Sequence, residues 1–322
     1  METAEPPAPA GRDGRPLAAR LREYQAERFP VFKHGALIAA FGTSAVCVSA
    51  LLREGTPSAG AMIVAVVALF YFFAQLRVAD EHKDHADDVR YRPERPVPRG
   101  LISLKELRWV AWGAAGVTLA ATWWLDWRLT WLLLAVWGWM ALMTKEFFAP
   151  DALKARPLLY MVSHMAVMPL IDLYATATDW LPAGVAPGGA HGGGLAAFLL
   201  LSLANGVTLE IARKAWAPED EREGVETYSK LWGVKTAGYA AAAAMFAGLV
   251  LSAYVHVETG AHPVFLAGLL IVAAIAEFAA IDYAAEGTRK TAQRLELVSG
   301  IYVLGNYILL GVGPMAERVW LS

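Results

Sequence analysis

Residues 80–100 read DEHKDHADDVRYRPERPVPRG: a long apolar stretch ends in a burst of carboxylates, followed by a loop rich in proline and arginine. Continued as one helix, the preceding segment would bring Asp80, Asp84 and Asp88 round at i, i+4 and i+8, each step turning only about 40° about the axis. Three carboxylates then share one face at a membrane mouth. Like charges gathered so closely are unfavourable unless something positive joins them. Oxygen ligands of this kind suit Mg²⁺ with part of its shell left to a phosphate. The arginines that follow, Arg92, Arg95 and Arg99, are placed to hold phosphate oxygens through bidentate hydrogen bonds.

Spaced carboxylates at the end of a second membrane helix, followed by Tyr91, Arg92, Pro93, Arg95, Pro96, Pro98 and Gly100, resemble the first aspartate-rich motif of the UbiA family of intramembrane prenyltransferases. Many members open that motif with an Asn-Asp pair, where this chain has Asp80 and Glu81. The resemblance implies Mg²⁺-dependent ionisation of a polyprenyl diphosphate, attack by an acceptor within the membrane, and loss of a proton. Family members act on aromatic acids, naphthoates, homogentisate, porphyrin side chains or glycerol phosphate, and the acceptor is not legible here. An intramembrane terpene cyclase of the same fold is the alternative, in which a double bond of the substrate replaces the acceptor.

Hydrophobic residues make up 57% of the 322, charged residues 18%, and mean hydropathy is +0.39. That is the composition of a polytopic membrane protein and disfavours a soluble binding module. A formal net charge of -2, with basic residues confined to loops, gives no reason to expect nucleic acid. The single cysteine, Cys47, lies in an apolar segment, so neither an intrachain disulfide nor a cysteine metal cluster is expected. Nothing points to a protein partner. The expected partners are a prenyl diphosphate, a small-molecule acceptor and membrane lipid.

Residues 1–18 mix Pro, Ala and Gly with charges and read as a disordered tail; residues 19–322 read as one membrane domain. Leu17, Leu21, Tyr24 and Phe29 recur near helical spacing with arginines between, which suits a helix lying on the membrane surface. Nine apolar stretches follow, at 34–52, 60–79, 105–125, 128–147, 157–177, 193–214, 236–256, 263–283 and 296–316, each close to the roughly 20 residues of a membrane-spanning helix. Ser103 and Glu106 form an S-x-x-E capping box at the start of the third. Lysine and arginine crowd the N-terminal segment and alternate loops, which predicts a cytoplasmic N-terminus, an external C-terminus and both charged loops on the cytoplasmic face. The expectation is an all-α, nine-helix integral membrane bundle.

A second charged station lies at 205–233, NGVTLEIARKAWAPEDEREGVETYSKLWG. Glu210, Arg213 and Lys214 sit at the end of span six, with Glu210 and Lys214 one turn apart on one face. Residues 224–233 resemble the end of the family's second acidic motif, which places Asp220 on its last acidic position; Glu210 departs from the usual DxxxD spacing, and Trp216 stands four before Asp220. The two stations together imply a site in which Asp80, Asp84, Asp88, Glu210 and Asp220 hold Mg²⁺. Asp80, Asp84, Asp88 and Asp220 would serve catalysis, and Arg92, Arg95, Arg99, Arg213 and Lys214 would neutralise the diphosphate. A carbocation left behind needs a dry chamber, and Phe70, Tyr71, Phe73 and Trp112 offer aromatic faces to it.

Blander readings compete. Glu219–Glu223 also fits a solvated loop, and Asp172, Glu277 and Asp282 inside spans five and eight fit structural pairing as well as acceptor orientation. His82 and His85 offer two zinc ligands at most, and His164 reads as a hydrogen-bonded core histidine. Trp109, Trp112, Trp123, Trp124, Trp127 and Trp131 form an interfacial belt, and the glycine run 188–194 is a turn rather than a phosphate loop. A secondary transporter, with Asp172 and Glu277 as its coupling path, lacks the paired broken helices that reading requires.

Overall fold

The computed structural model describes residues 14–321, and among them every regular element is helical. Most of the expected tail therefore lies outside the described residues, and α1 begins at Leu17. The helices are α1 (Leu17–Arg28), α2 (Val31–Leu52), α3 (Ala59–Lys83), α4 (His85–Tyr91), α5 (Leu104–Leu125), α6 (Thr130–Thr144), α7 (Pro150–Lys154), α8 (Pro157–Met165), α9 (Val167–Ala183), α10 (Gly194–Arg213), α11 (Tyr228–Trp232), α12 (Val234–Thr259), α13 (Pro263–Glu286), α14 (Arg289–Tyr307) and α15 (Gly313–Leu321).

Local chemistry fixes several of these ends. The Ser58 hydroxyl accepts from the Ala61 amide and starts α3. Ser103 and Glu106 form the expected capping box at α5. Seven segments are long and apolar enough to cross a membrane: α2, α3, α8–α9 as Pro157–Ala183, α10, α12, α13 and α14–α15 as Arg289–Trp320. The nine stretches read from the sequence are these seven together with α5 and α6. The third and fourth expected spans are helices, but the 15 residues of α6 reach only about 22 Å against a hydrocarbon core of about 30 Å. The 22 residues of α5 begin with Lys105, Glu106 and Arg108.

The larger apolar core gathers around α2, α3, α9 and α10, with Phe72, Tyr174, Phe198 and Leu133 fully enclosed. A second core joins α10 to α12, α13 and α14 through Ala237, Ala241, Ala276, Tyr283 and Tyr302. Small residues allow close approach there. After Tyr307 the chain makes a π-turn, Ile308–Val312, in which Gly311 lies directly against the Ser44 backbone of α2. A Cβ at Gly311 would stand 2.7 Å from Ser44 Cα, so the helices can meet there only through glycine. The six tryptophans of the expected belt are all exposed on the outside of α5, α6 and their connection.

Buried polar groups are mostly paired, as a dry interior requires. Tyr307 donates to Asp172 at 2.6 Å, and Asn306 donates to Asn205 at 3.1 Å. At the end of the bundle remote from the acidic stations, Arg53 makes two 2.8 Å hydrogen bonds to Asp179, and Ser49 adds a third. Asp282 pairs with Arg294 at 2.6 Å. These pairings give Asp172 and Asp282 structural partners. Helix α1 is bound to the bundle by charge, through Arg28 to Glu81 at 2.6 Å and Arg20 to Glu106 at 2.7 Å.

Candidate active site

The helix expected to carry three aspartates on one face stops at the middle one. Asp84 is the C-cap of α3 and also precedes α4, with φ −89° and ψ 4°. The backbone still links the turns, since the Asp84 amide donates to Asp80 at 2.9 Å and the Asp88 amide to Asp84 at 2.8 Å. The three side chains nevertheless part company. Asp80 is exposed and pairs with Arg77 at 2.8 Å. Asp84 is half-buried, and among the described residues its carboxylate has no hydrogen-bond or ion-pair partner. Asp88 is buried, held by Arg95 at 2.7 Å through both carboxylate oxygens and by Arg92 at 3.3 Å.

That division changes the reading of the arginines. Arg92 and Arg95, expected on the diphosphate, are engaged with Asp88 and order the Pro/Arg loop. Arg99 is drawn onto α1, at 2.8 Å from Glu23 and 2.6 Å from Glu27. Its guanidinium holds the Glu27 carboxyl below the ordinary carboxylate range. Loop arginines separated by a few residues face whatever carboxylate the fold brings nearest, and sequence spacing does not reveal that.

The two stations do come together. The Tyr91 ring lies flat against Gly224 of the second station, so close that a Cβ there would stand 2.7 Å from the ring. Gly224 also has φ +74°, a conformation other residues adopt only under strain. Arg213 at the end of α10 bonds Glu210 at 2.5 Å and lies within electrostatic range of Asp80. Lys214 reaches the other Glu210 oxygen at 3.0 Å. Asp80 and the Arg213–Glu210 pair thus lie near enough for their charges to act on one another.

Asp220 stands apart from these charges. Arg289 at the start of α14 clamps it with bonds of 2.5 and 2.8 Å. Its neighbour Glu221 turns inward, accepting from Thr227 at 2.6 Å and Ser229 at 2.7 Å, and so shapes the loop. To reach a metal, Asp88 and Asp220 would each have to leave an arginine, as would Asp80, although its pair with Arg77 is the exposed one.

A basic and aromatic wall completes the mouth, and the sequence had shown little of it. Lys83, beside Asp84, donates to the Tyr160 hydroxyl, pairs with Glu146 at 3.2 Å and lies 3.4 Å from His164 Nε2. Tyr160 and His164, one turn apart on α8, stack with ring centroids 4.1 Å apart. Tyr160 lies within electrostatic range of Asp84, and His164 of Glu210. Glu146, Phe147 and Phe148 have φ of 47°, 52° and 57°. Three consecutive left-handed residues, none of them glycine, store about 1–2 kcal/mol each, and strain of this kind collects at functional sites. A signal did exist. Lys83 lies between two of the singled-out aspartates, and Tyr160 and His164 are four apart at the matching end of a span.

Among the described residues no three His, Cys, Asp or Glu side chains converge into a closed metal site. Asp80 and Asp84 supply hard oxygen donors at an open mouth, and the second is uncompensated. That donor set fits Mg²⁺, which keeps water and takes phosphate oxygens in preference to an all-protein cage.

The profile of the UbiA prenyltransferase family matches residues 40–300. A search of curated proteins found no match. Among solved structures, a digeranylgeranylglyceryl phosphate synthase superposes with a TM-score of 0.58 at 18% identity, covering 91% of this chain and 99% of the other. A UbiA homolog from Archaeoglobus fulgidus bound to DMAPP and Mg²⁺ gives a TM-score of 0.47 at 14% identity, covering 87% of this chain and 97% of the other. The first shares the fold. With the family profile spanning both acidic stations and the membrane helices between them, the chain belongs to the UbiA prenyltransferase family, as an integral membrane prenyltransferase.

Proposed function

We propose that this protein transfers a polyprenyl group from an allylic diphosphate to an acceptor within the membrane, and that the reaction depends on Mg²⁺ held by Asp80 and Asp84. The observation that carries the reading is the unpartnered Asp84 carboxylate, with Asp80 one turn before it and the cations Lys83 and Arg213 beside them. Such a mouth is built to receive a group that is anionic but needs a divalent ion to join it. Mg²⁺ bound there would supply positive charge to the departing diphosphate.

The chain's own residues do the rest. Lys83 and Arg213 neutralise diphosphate oxygens, with the Tyr160 hydroxyl as a neutral donor. Glu146 and Glu210 hold those cations in place until the diphosphate arrives. Glu210 therefore positions Arg213 and Lys214 and is not itself a metal ligand in this reading. Asp88 and Asp220 keep the Pro/Arg loop and the second loop in position through Arg95 and Arg289. Once the carbon–oxygen bond breaks, the allylic carbon needs an apolar surround that excludes water. Loss of a proton after acceptor attack completes the exchange.

In the same reading the N-terminus is cytoplasmic, and the mouth opens to the cytoplasmic face because lysine and arginine gather at that end. Helices α5 and α6 complete a nine-crossing bundle in which α6 is supplemented by its flanking turns.

Purified protein incubated with Mg²⁺ and prenyl diphosphates of several lengths, with and without membrane lipid extract, tests this by mass spectrometry of the products. A prenylated acceptor formed only with extract is expected. A terpene formed without extract would identify a cyclase instead.

A further inference from the structure

An apolar groove of about 440 Å³ runs between the surface helix α1 and the faces of α3 and α5. Its walls include Phe29, Phe70, Tyr71, Val110 and Ala111, and at its charged end stand Tyr24 and Arg77. Tyr24 is 6% exposed, yet its hydroxyl has no hydrogen-bond partner, and Arg77 Nε makes no hydrogen bond either, lying 3.8 Å from Glu81 Oε1 in a loose ion pair. Buried donors without partners are uncommon and call for an explanation. The groove lining carries two guanidiniums, Arg22 and Arg77, and no carboxylate, while nearby Arg28 is paired with Glu81 and Arg77 with Asp80. Arg77 also ties the groove to the mouth, because its other partner is Asp80 at 2.8 Å.

We propose that this groove binds the acceptor, an amphiphile with one apolar chain and an anionic, hydrogen-bond-accepting head. The chain lies along Phe29, Phe70 and Ala111, and the head meets Tyr24 and Arg77 one helical turn from Asp80. The aromatic side chains Phe70 and Tyr71 then line the acceptor's path. An apolar slot opening beside a surface helix admits such a molecule from the bilayer, and the donors at its charged end select its head. The assignment of this ligand as the acceptor rests on the prenyl-transfer reading; the groove's ligand class does not.

The test uses oleate as probe, titrated against the full-length protein in detergent by native mass spectrometry, with neutral methyl oleate as control. One oleate is expected to bind, and Ala111→Trp, which fills the groove, to weaken it by about tenfold or more, the loss of some 1.4 kcal/mol. Tyr24→Phe, which removes one donor, should weaken it severalfold. Ala74→Trp fills the groove from the other wall and stands in if the first variant does not fold. Mg²⁺-dependent binding of prenyl diphosphate should survive in these variants, while transfer to acceptor in lipid extract is lost. Oleate binding that ignores Ala111→Trp and Ala74→Trp, or equal binding of methyl oleate, would overturn the groove assignment. Full transfer by a variant that no longer binds oleate would overturn its identification as the acceptor's site. Groove-dependent oleate binding in a wild-type protein that never releases diphosphate would sink the prenyl-transfer reading and leave the ligand class standing.

Discussion

Asp84 ends α3 with a half-buried carboxylate that, among the described residues, no side chain hydrogen-bonds or ion-pairs. Burial, the largest influence, raises its pKa, Lys83 pulls it down and Asp88 raises it again. A carboxyl whose pKa is raised on folding binds more protons in the native state than in the unfolded one. Stability therefore falls as pH rises through the window between the ordinary carboxylate value and the raised one. In chelator the Asp84→Asn variant should melt above wild type at neutral pH, and the gap should close as the pH falls below that window. Added Mg²⁺ should raise the wild-type melting temperature and leave the variant unmoved. Thermal melts across pH, with and without Mg²⁺, check both statements. Lys83 sits in a pocket of two rings and one carboxylate. Lys83→Met should raise KM for prenyl diphosphate by about tenfold or more, since a charge-assisted hydrogen bond contributes about 1.5–3 kcal/mol. Steady-state kinetics read this directly.

Gly224 is where the elements α4 and α11 are brought into register through their loops. Its φ of +74° and the Tyr91 ring pressed against it leave no room for a side chain. Gly224→Ala should cost about 1–3 kcal/mol of stability and reduce turnover as the loops separate, measured by thermal melts and diphosphate release. At this scale the sequence was informative about position and much less about partnership. The carboxylate burst at residues 80–88 and the acids at 210–223 did mark the ends of two helices whose following loops meet at Tyr91 and Gly224. The Ser103–Glu106 capping box and the α1 helix also stand where the spacing placed them. Spacing failed where a single residue changed the backbone path. The turn at Asp84 separates the side chains of Asp80 and Asp88 that an unbroken helix would have aligned. It also failed where long side chains choose among several neighbours. Arg99 goes to α1, Arg95 to Asp88 and Arg289 to Asp220, over separations no local pattern encodes. Lys83, Tyr160 and Glu146 were hidden for the same reason, since three chain segments supply one wall.

Across the whole molecule, charge is segregated by depth. The acidic and basic groups of the site crowd one end, and the other is tied by the Arg53–Asp179 pair, whose side chains are 13% and 2% exposed. Breaking a buried pair leaves an uncompensated charge, so Arg53→Met should lower stability by about 3–5 kcal/mol. Arg53→Met with Asp179→Leu should recover most of it. Both should leave diphosphate release by the folded fraction unchanged, because the pair lies far from the mouth. Chemical denaturation in detergent, with activity normalised to folded protein, separates the two effects. The fold class was legible because 57% hydrophobic composition arranged in blocks permits few architectures. Of the nine apolar stretches, the short α6 and α5, charged at its start, fall outside the seven segments long and apolar enough to cross alone.

In the proposed reaction Asp80 and Asp84 hold Mg²⁺ for diphosphate departure. Diphosphate release from an allylic prenyl diphosphate, followed for wild type and Asp84→Asn with Mg²⁺ and with chelator, tests it most directly. Release by the wild type is expected only with Mg²⁺, lowered at least about a hundredfold in the variant, a loss of some 2.7 kcal/mol of transition-state stabilisation. Equal release by folded Asp84→Asn, or release by the wild type in chelator, would contradict it.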